Sequence, residues 1–184
     1  MATRGAAPRA RTGGNPFLKT VGAISTLAGW VAAAMIVAAV AITCQMIFVR
    51  FVLNHSTIWQ TELVVYLMVS ATLIGLSYVQ NLRGHVNVDL LPMMLRRGPR
   101  KALAIVTLSA SIAIIGIMFF YGFEFWHFAW ARGWHSDTVW GVRLWIPYLS
   151  VPVGLGLLLL QLVADLFALV SGIDGPPGAN AEAA

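Results

Sequence analysis

Four long apolar stretches, separated by short polar segments, dominate the chain. They cover residues 21–49, 58–79, 102–131 and 144–170. The first contains no charged residue, whereas Glu62, Glu124 and Asp165 each lie in one of the others. Because a bilayer core of ~30 Å requires about 20 apolar residues in a helix, each stretch is long enough to cross it. Strands of a membrane barrel would instead alternate apolar and polar positions, so the pattern predicts an all-α membrane protein with four transmembrane helices.

The composition supports this interpretation. Of the 184 residues, 59% are hydrophobic and 10% are charged, whereas soluble domains carry about 25% charged residues. The chain is therefore neither an ordinary water-soluble enzyme nor a disordered protein. Cys44 is the only cysteine, which excludes an intrachain disulfide and a cysteine-based metal site.

The positions of the basic residues predict the orientation. The tail at residues 1–19 and the loop between the second and third stretches contain nine of the twelve basic residues. Cytoplasmic loops carry an excess of Lys and Arg, so we expect both termini to be cytoplasmic. The segment at residues 171–184 has no basic residue and is predicted to be a flexible tail. A belt of tryptophans marks the opposite side: Trp59, Trp126, Trp130, Trp134, Trp140 and Trp145.

The cytoplasmic loop contains a predicted amphipathic helix at residues 90–97. Asp89 can cap its start, and Gly98 followed by Pro99 ends it. Its apolar side consists of leucine and methionine, and arginines follow at its end, where cations suit the helix dipole. Such a helix lies either in the membrane surface or against a partner protein, and amphipathicity does not distinguish the two.

The charged residues within the stretches are candidates for function. Glu62 and Glu124 both lie near the tryptophan side of their stretches. Each either extends to the interface or pairs with Arg50, Arg132 or Arg143 to hold helices in register or meet a partner.

Alanines are frequent in the first stretch, among them Ala32, Ala33, Ala34, Ala38, Ala39 and Ala41. They indicate either close helix packing or a lipid-facing helix rich in good helix formers.

The sequence shows no pattern for catalysis. There is no nucleotide-binding motif and no nucleophile with its base, and the histidines and carboxylates do not match a zinc pattern. His55 and His127 both lie towards the tryptophan side, so a haem-bearing membrane anchor of a redox enzyme is the alternative hypothesis. A third hypothesis is a membrane scaffold without a transport partner. Because no carboxylate lies deep in a stretch, the residues indicate an accessory membrane subunit rather than a complete pump.

Two segments carry a resemblance to a known family. The first, at residues 85–91, reads HVNVDLL after the second stretch, and the second, at residues 144–154, reads LWIPYLSVPVG. In this order and spacing they resemble the small, four-span membrane subunit of tripartite ATP-independent periplasmic (TRAP) transporters.

The resemblance implies partners and a role. The large membrane subunit of such a transporter carries the substrate and sodium sites, and a periplasmic protein delivers an organic acid. The small subunit is expected to be a static scaffold that binds no cofactor and no nucleic acid. The turn that directs the amphipathic arm would consist of Arg83, Gly84, His85, Val88 and Asp89. The residues expected to face the large subunit or the docking protein are Trp59, Glu62, Glu124, Arg132, Arg143, Pro147 and Pro152.

Overall fold

The computed structural model describes residues 16–55, 57–82, 97–138 and 140–171, and almost all of them are helical. The helices are α1 (Pro16–Val52), α2 (Ile58–Asn81), α3 (Arg97–Ala131), the short α4 (Trp145–Tyr148) and α5 (Ser150–Val170). Four segments are long and apolar enough to cross a membrane: Pro16–Val52, Ile58–Asn81, Ala102–Ala131 and Trp145–Val170. The predicted four-span helical architecture is therefore confirmed.

The fourth span is divided into two helices by its prolines. Pro147 lies in α4 and Pro152 in the first turn of α5, where a missing backbone N–H costs little. The hydroxyl of Ser150 donates to the carbonyl oxygen of Pro147 over 2.7 Å. This bond spans the junction at Leu149, so α4 and α5 together act as one span.

Helix α5 is the centre of the bundle. It packs against α1, α2 and α3, and α1 also packs along α2. Ten of its residues are buried, whereas none of the most apolar window of α3 is buried within the chain. Helix α3 is therefore a peripheral helix that packs mainly against α5.

Small residues bring the helices close together. A Cβ on Gly154 would lie 2.6 Å from the carbonyl oxygen of Leu73, so the backbones of α5 and α2 approach each other closely there. A Cβ on Gly29 would lie 2.4 Å from the ring of Tyr78, where α1 meets α2. Without the hydrophobic effect of water, such close van der Waals contact is what holds membrane helices together.

The alanines of α1 divide between the two roles that the sequence left open. Ala32 and Ala39 are buried, and the Cβ of Ala32 lies 3.4 Å from the position of a Cβ on Gly75. Ala33 and Ala34 are exposed. Ala41 is exposed as well and Ala38 is half-buried, so only part of the alanine set packs within the bundle.

The amphipathic arm predicted at residues 90–97 lies outside the described residues except for Arg97, which begins α3. The same holds for the turn residues, which are Arg83, Gly84, His85, Val88 and Asp89.

Candidate functional site

The loop between α3 and α4 folds into a short hairpin. Helix α3 ends at Ala131 and is followed by Gly133, whose φ of 60° suits glycine. The amide of Trp134 donates back to the carbonyl of Ala129 over 3.1 Å. The amide of Ser136 then donates to the carbonyl of Val142 over 2.8 Å. We call residues 134–138 with residues 140–144 the loop hairpin.

Glu62 binds this hairpin to the start of α2. Its Oε2 accepts a hydrogen bond of 2.5 Å from the hydroxyl of Thr138, and its Oε1 accepts one from the hydroxyl of Ser136. Tyr66, one turn further along α2, donates its phenolic hydroxyl to the same Oε1 over 2.5 Å. Three hydroxyls thus satisfy one carboxylate, and we call these four residues the Glu62 cluster.

The aromatic residues form a layer around the Glu62 cluster. The rings of Trp59 and Trp140 lie 6.1 Å apart and join α2 to the hairpin a second time. The indole N–H of Trp126 donates to the carbonyl oxygen of Trp145 over 3.1 Å, which ties α3 to α4. We call this end of the bundle, where α2 begins and α3 ends, the tryptophan end. An amphipathic ring layer of this kind is typical of a membrane–water interface.

Of the two alternatives for Glu62 and Glu124, pairing with an arginine is not seen among the described residues. Hydroxyls bind Glu62, and the guanidinium of Arg132 lies over the ring of Phe128, 5.2 Å from its centroid. Arg143 is exposed, and its backbone pairs with His135 across the hairpin. The structure therefore brings together Trp59 and Glu62 but places Glu124 elsewhere, on the exposed side of α3.

A second polar cluster joins three helices towards the other end of the bundle. Ser25 of α1 donates to Oε1 of Gln161 over 2.8 Å, and Nε2 of Gln161 donates to Asp165 over 3.1 Å within α5. Gln80 of α2 donates to the other oxygen of Asp165 over 2.8 Å. We call these four residues the Asp165 cluster. Gln161 is fully buried, so its amide is satisfied by the cluster rather than by water.

Ser25, Gln80 and Gln161 were not predicted from the sequence. One signal was present, because Gln161 is the only side-chain amide between residues 144 and 170 and lies one helical turn before Asp165. Ser136 and Thr138 gave no such signal, since hydroxyls are common in loops.

The histidines of the haem hypothesis lie on separate elements. His55 is exposed in the α1–α2 loop, and His127 is exposed on α3 with its ring edge-on to Trp130 at 6.2 Å. Among the described residues no three His, Cys, Asp or Glu side chains converge as metal ligands.

Four apolar spans, three of which share the Asp165 cluster, define a helical, multi-pass membrane protein. Comparison with known proteins identifies its family, because a model of the DctQ component of tripartite ATP-independent periplasmic transporters matches residues 39–172. The chain belongs to this family, and it is a small membrane subunit of a TRAP transporter. The family is one of transporter subunits rather than of enzymes.

A curated relative agrees with this assignment. The C4-dicarboxylate TRAP transporter small permease protein DctQ of Vibrio cholerae serotype O1 is 22% identical to the chain over 152 residues. The match covers 71% of this chain and 66% of the relative.

Proposed function

We propose that this chain is the static scaffold subunit of a transporter that imports a small organic acid across the bacterial inner membrane. A large multi-span subunit carries the solute and the sodium ions that drive import, and a periplasmic solute-binding protein docks at the tryptophan end. Both termini face the cytoplasm. The name of the Vibrio cholerae relative supports a carboxylate as the solute. The excess of basic residues outside the tryptophan end supports the orientation.

The scaffold role is supported above all by the hydrogen bonds and close packing that join α1, α2 and α5. The Asp165 cluster connects all three helices, and α2 approaches its neighbours closely at Gly29, Gly75 and Gly154. The Glu62 cluster then fixes the hairpin on the same body. A moving transport domain requires a frame of this kind, whose parts keep their positions while the solute site moves.

Purification of the tagged chain from its native membrane in mild detergent tests the assignment. We expect a large, very hydrophobic partner in stoichiometric amount, and sodium-dependent uptake of an organic acid after the complex is placed in liposomes. A haem spectrum, or a soluble redox partner in place of the large subunit, would contradict the proposal and direct attention to His55 and His127.

A disulfide between α1 and α2 tests whether the scaffold is static. The Cβ of Ala32 lies 3.4 Å from the position of a Cβ on Gly75, close to the 3.5–4.5 Å that a disulfide requires. In a Cys44→Ala background, Ala32→Cys with Gly75→Cys should crosslink without changing the uptake rate, because these helices do not move apart. The two single variants and chemical reduction are the controls. Loss of uptake on oxidation, recovered on reduction, would show that the helices move during transport.

A further inference from the structure

Helix α3 has one face against α5. Phe119, Gly122, Trp126 and Ala129 recur at helical spacing on this side. A Cβ on Gly122 would lie 2.9 Å from Val151. Ala129 is fully buried, and Trp126 is bonded to the start of α4. This stripe defines the packed face of the helix.

The opposite face of α3 carries a carboxylate among aromatic rings. Glu124 is two residues from both Gly122 and Trp126, and at 3.6 residues per turn it lies on the other side of the helix. The positions one turn away from it in both directions are exposed as well: Phe120, Tyr121, His127 and Phe128. We call these four residues together with Glu124 the Glu124 face.

Glu124 differs from the other carboxylates of the spans. Glu62 accepts three hydroxyl hydrogen bonds, and Asp165 is bonded to two glutamines. Within the part of the chain that the structure describes, Glu124 has no hydrogen-bond or ion-pair partner. Arg132, two turns further on, does not reach it, because its guanidinium lies over the ring of Phe128.

Its position makes lipid an unsuitable neighbour. Glu124 lies seven residues, or about 10 Å, before the end of α3 at Ala131. It lies within the span Ala102–Ala131, and a charged side chain without a partner is expensive in such a segment. The exposed side of α1 shows the contrast, because it presents Leu27, Trp30 and Val31 and carries no charged residue between positions 21 and 49.

We infer that the Glu124 face is a protein–protein interface within the membrane, and that its occupant is a span of the large transport subunit. That span presents a basic side chain to Glu124 and apolar side chains to the rings around it. Charge complementarity supports this occupant, because the carboxylate of Glu124 has no cation or strong hydrogen-bond donor bound to it within the described part of the chain. The inference rests on the proposed function and adds the surface by which the two subunits meet.

Photo-crosslinking tests the inference in the intact complex. Benzoylphenylalanine replaces Tyr121 or Phe128 on the Glu124 face, or Trp30 on α1 as the lipid-facing control. We expect adducts with the large subunit from Tyr121 and Phe128 and none from Trp30. Adducts with a second copy of this chain, with phospholipid alone, or with the large subunit from Trp30 as strongly as from α3 would overturn the inference.

Charge reversal supplies an independent measurement. Glu124→Lys should lower the recovery of the large subunit with the tagged chain about tenfold or more, because it sets two cations against each other. Glu124→Gln should lower it less, and Asp137→Lys in the exposed loop should leave it unchanged. Full recovery with Glu124→Lys would overturn the inference and leave the proposed function standing. If the unaltered chain retains no large subunit at all, both this inference and the proposed function fail.

Discussion

Glu62 joins segments that are 74 residues apart in the chain. A carboxylate near the start of a membrane helix would be free to reach water by itself, yet here Ser136, Thr138 and Tyr66 satisfy it. Hydrogen bonds to a charged acceptor are about twice as strong as neutral ones. Glu62 therefore determines where the loop hairpin lies over the bundle.

Removal of this carboxylate should release the hairpin. In Glu62→Ala the hydroxyls of Ser136 and Thr138 lose their acceptor, and we expect the hairpin amides to exchange about tenfold faster, the effect of about 1.4 kcal/mol. Glu62→Gln keeps one acceptor oxygen, so its hairpin amides should exchange at a rate between those of the unaltered chain and Glu62→Ala. Hydrogen exchange of the detergent-solubilised protein, followed by mass spectrometry, measures the difference. Asp137→Asn in the same loop is the control, and unaltered exchange in Glu62→Ala would contradict the role given to Glu62.

Gln161 has the corresponding role in the Asp165 cluster. Gln161→Leu removes the hydrogen bonds to Ser25 and Asp165, whereas Ser25→Ala removes one of them. Since a hydrogen bond between membrane helices averages about 0.6 kcal/mol, we expect losses in the free energy of unfolding of about 1–2 and about 0.6 kcal/mol. Reversible unfolding in mixed micelles gives both values. A Gln161→Leu protein as stable as the unaltered one would mean that packing, not the cluster, joins α1 to α5.

At the scale of the elements, the spans could be predicted because the bilayer imposes a length. Continuous apolarity over about 20 residues specifies a helix regardless of the remaining sequence. The position of the loop hairpin could not be predicted from apolarity, because the hairpin is held by hydrogen bonds to Glu62, which is distant in the sequence. The break at Leu149 depends on two prolines whose effect is local. The amphipathic arm at residues 90–97 stays a prediction.

Two glycines show how differently the same residue acts within one bundle. A Cβ on Gly154 would lie 2.6 Å from the Leu73 carbonyl oxygen, whereas one on Gly116 of α3 would meet nothing within 4 Å. Gly154→Ala should therefore force α2 and α5 apart and cost about 1–3 kcal/mol of unfolding free energy.

Gly116→Ala is the matched control. It should be neutral or stabilising by up to about 1 kcal/mol, because alanine is the better helix former. Thermal unfolding of the two variants in detergent makes the comparison, and equal melting temperatures would show that α5 shifts freely on α2.

The whole molecule combines a joined body with a peripheral helix. Helices α1, α2 and α5 share the Asp165 cluster, whereas α3 packs mainly on α5 and turns Glu124 outwards. Helices α1 and α3, of 37 and 35 residues, would be about 55 and 52 Å long, well beyond a core of ~30 Å. The bundle therefore extends past the hydrocarbon layer, and its direction across the membrane determines which partners can reach the tryptophan end.

The orientation follows from charge and can be measured directly. The tryptophan end holds three basic residues, Arg50, Arg132 and Arg143, against nine in the tail and loop of the other side, so the tryptophan end should be periplasmic. In a Cys44→Ala background, Asp137→Cys should react with a membrane-impermeant maleimide added to intact spheroplasts. Lys19→Cys, exposed near the start of α1, should react only after the membrane is opened. The reverse labelling pattern would put the loop hairpin in the cytoplasm, where no periplasmic protein could dock on it.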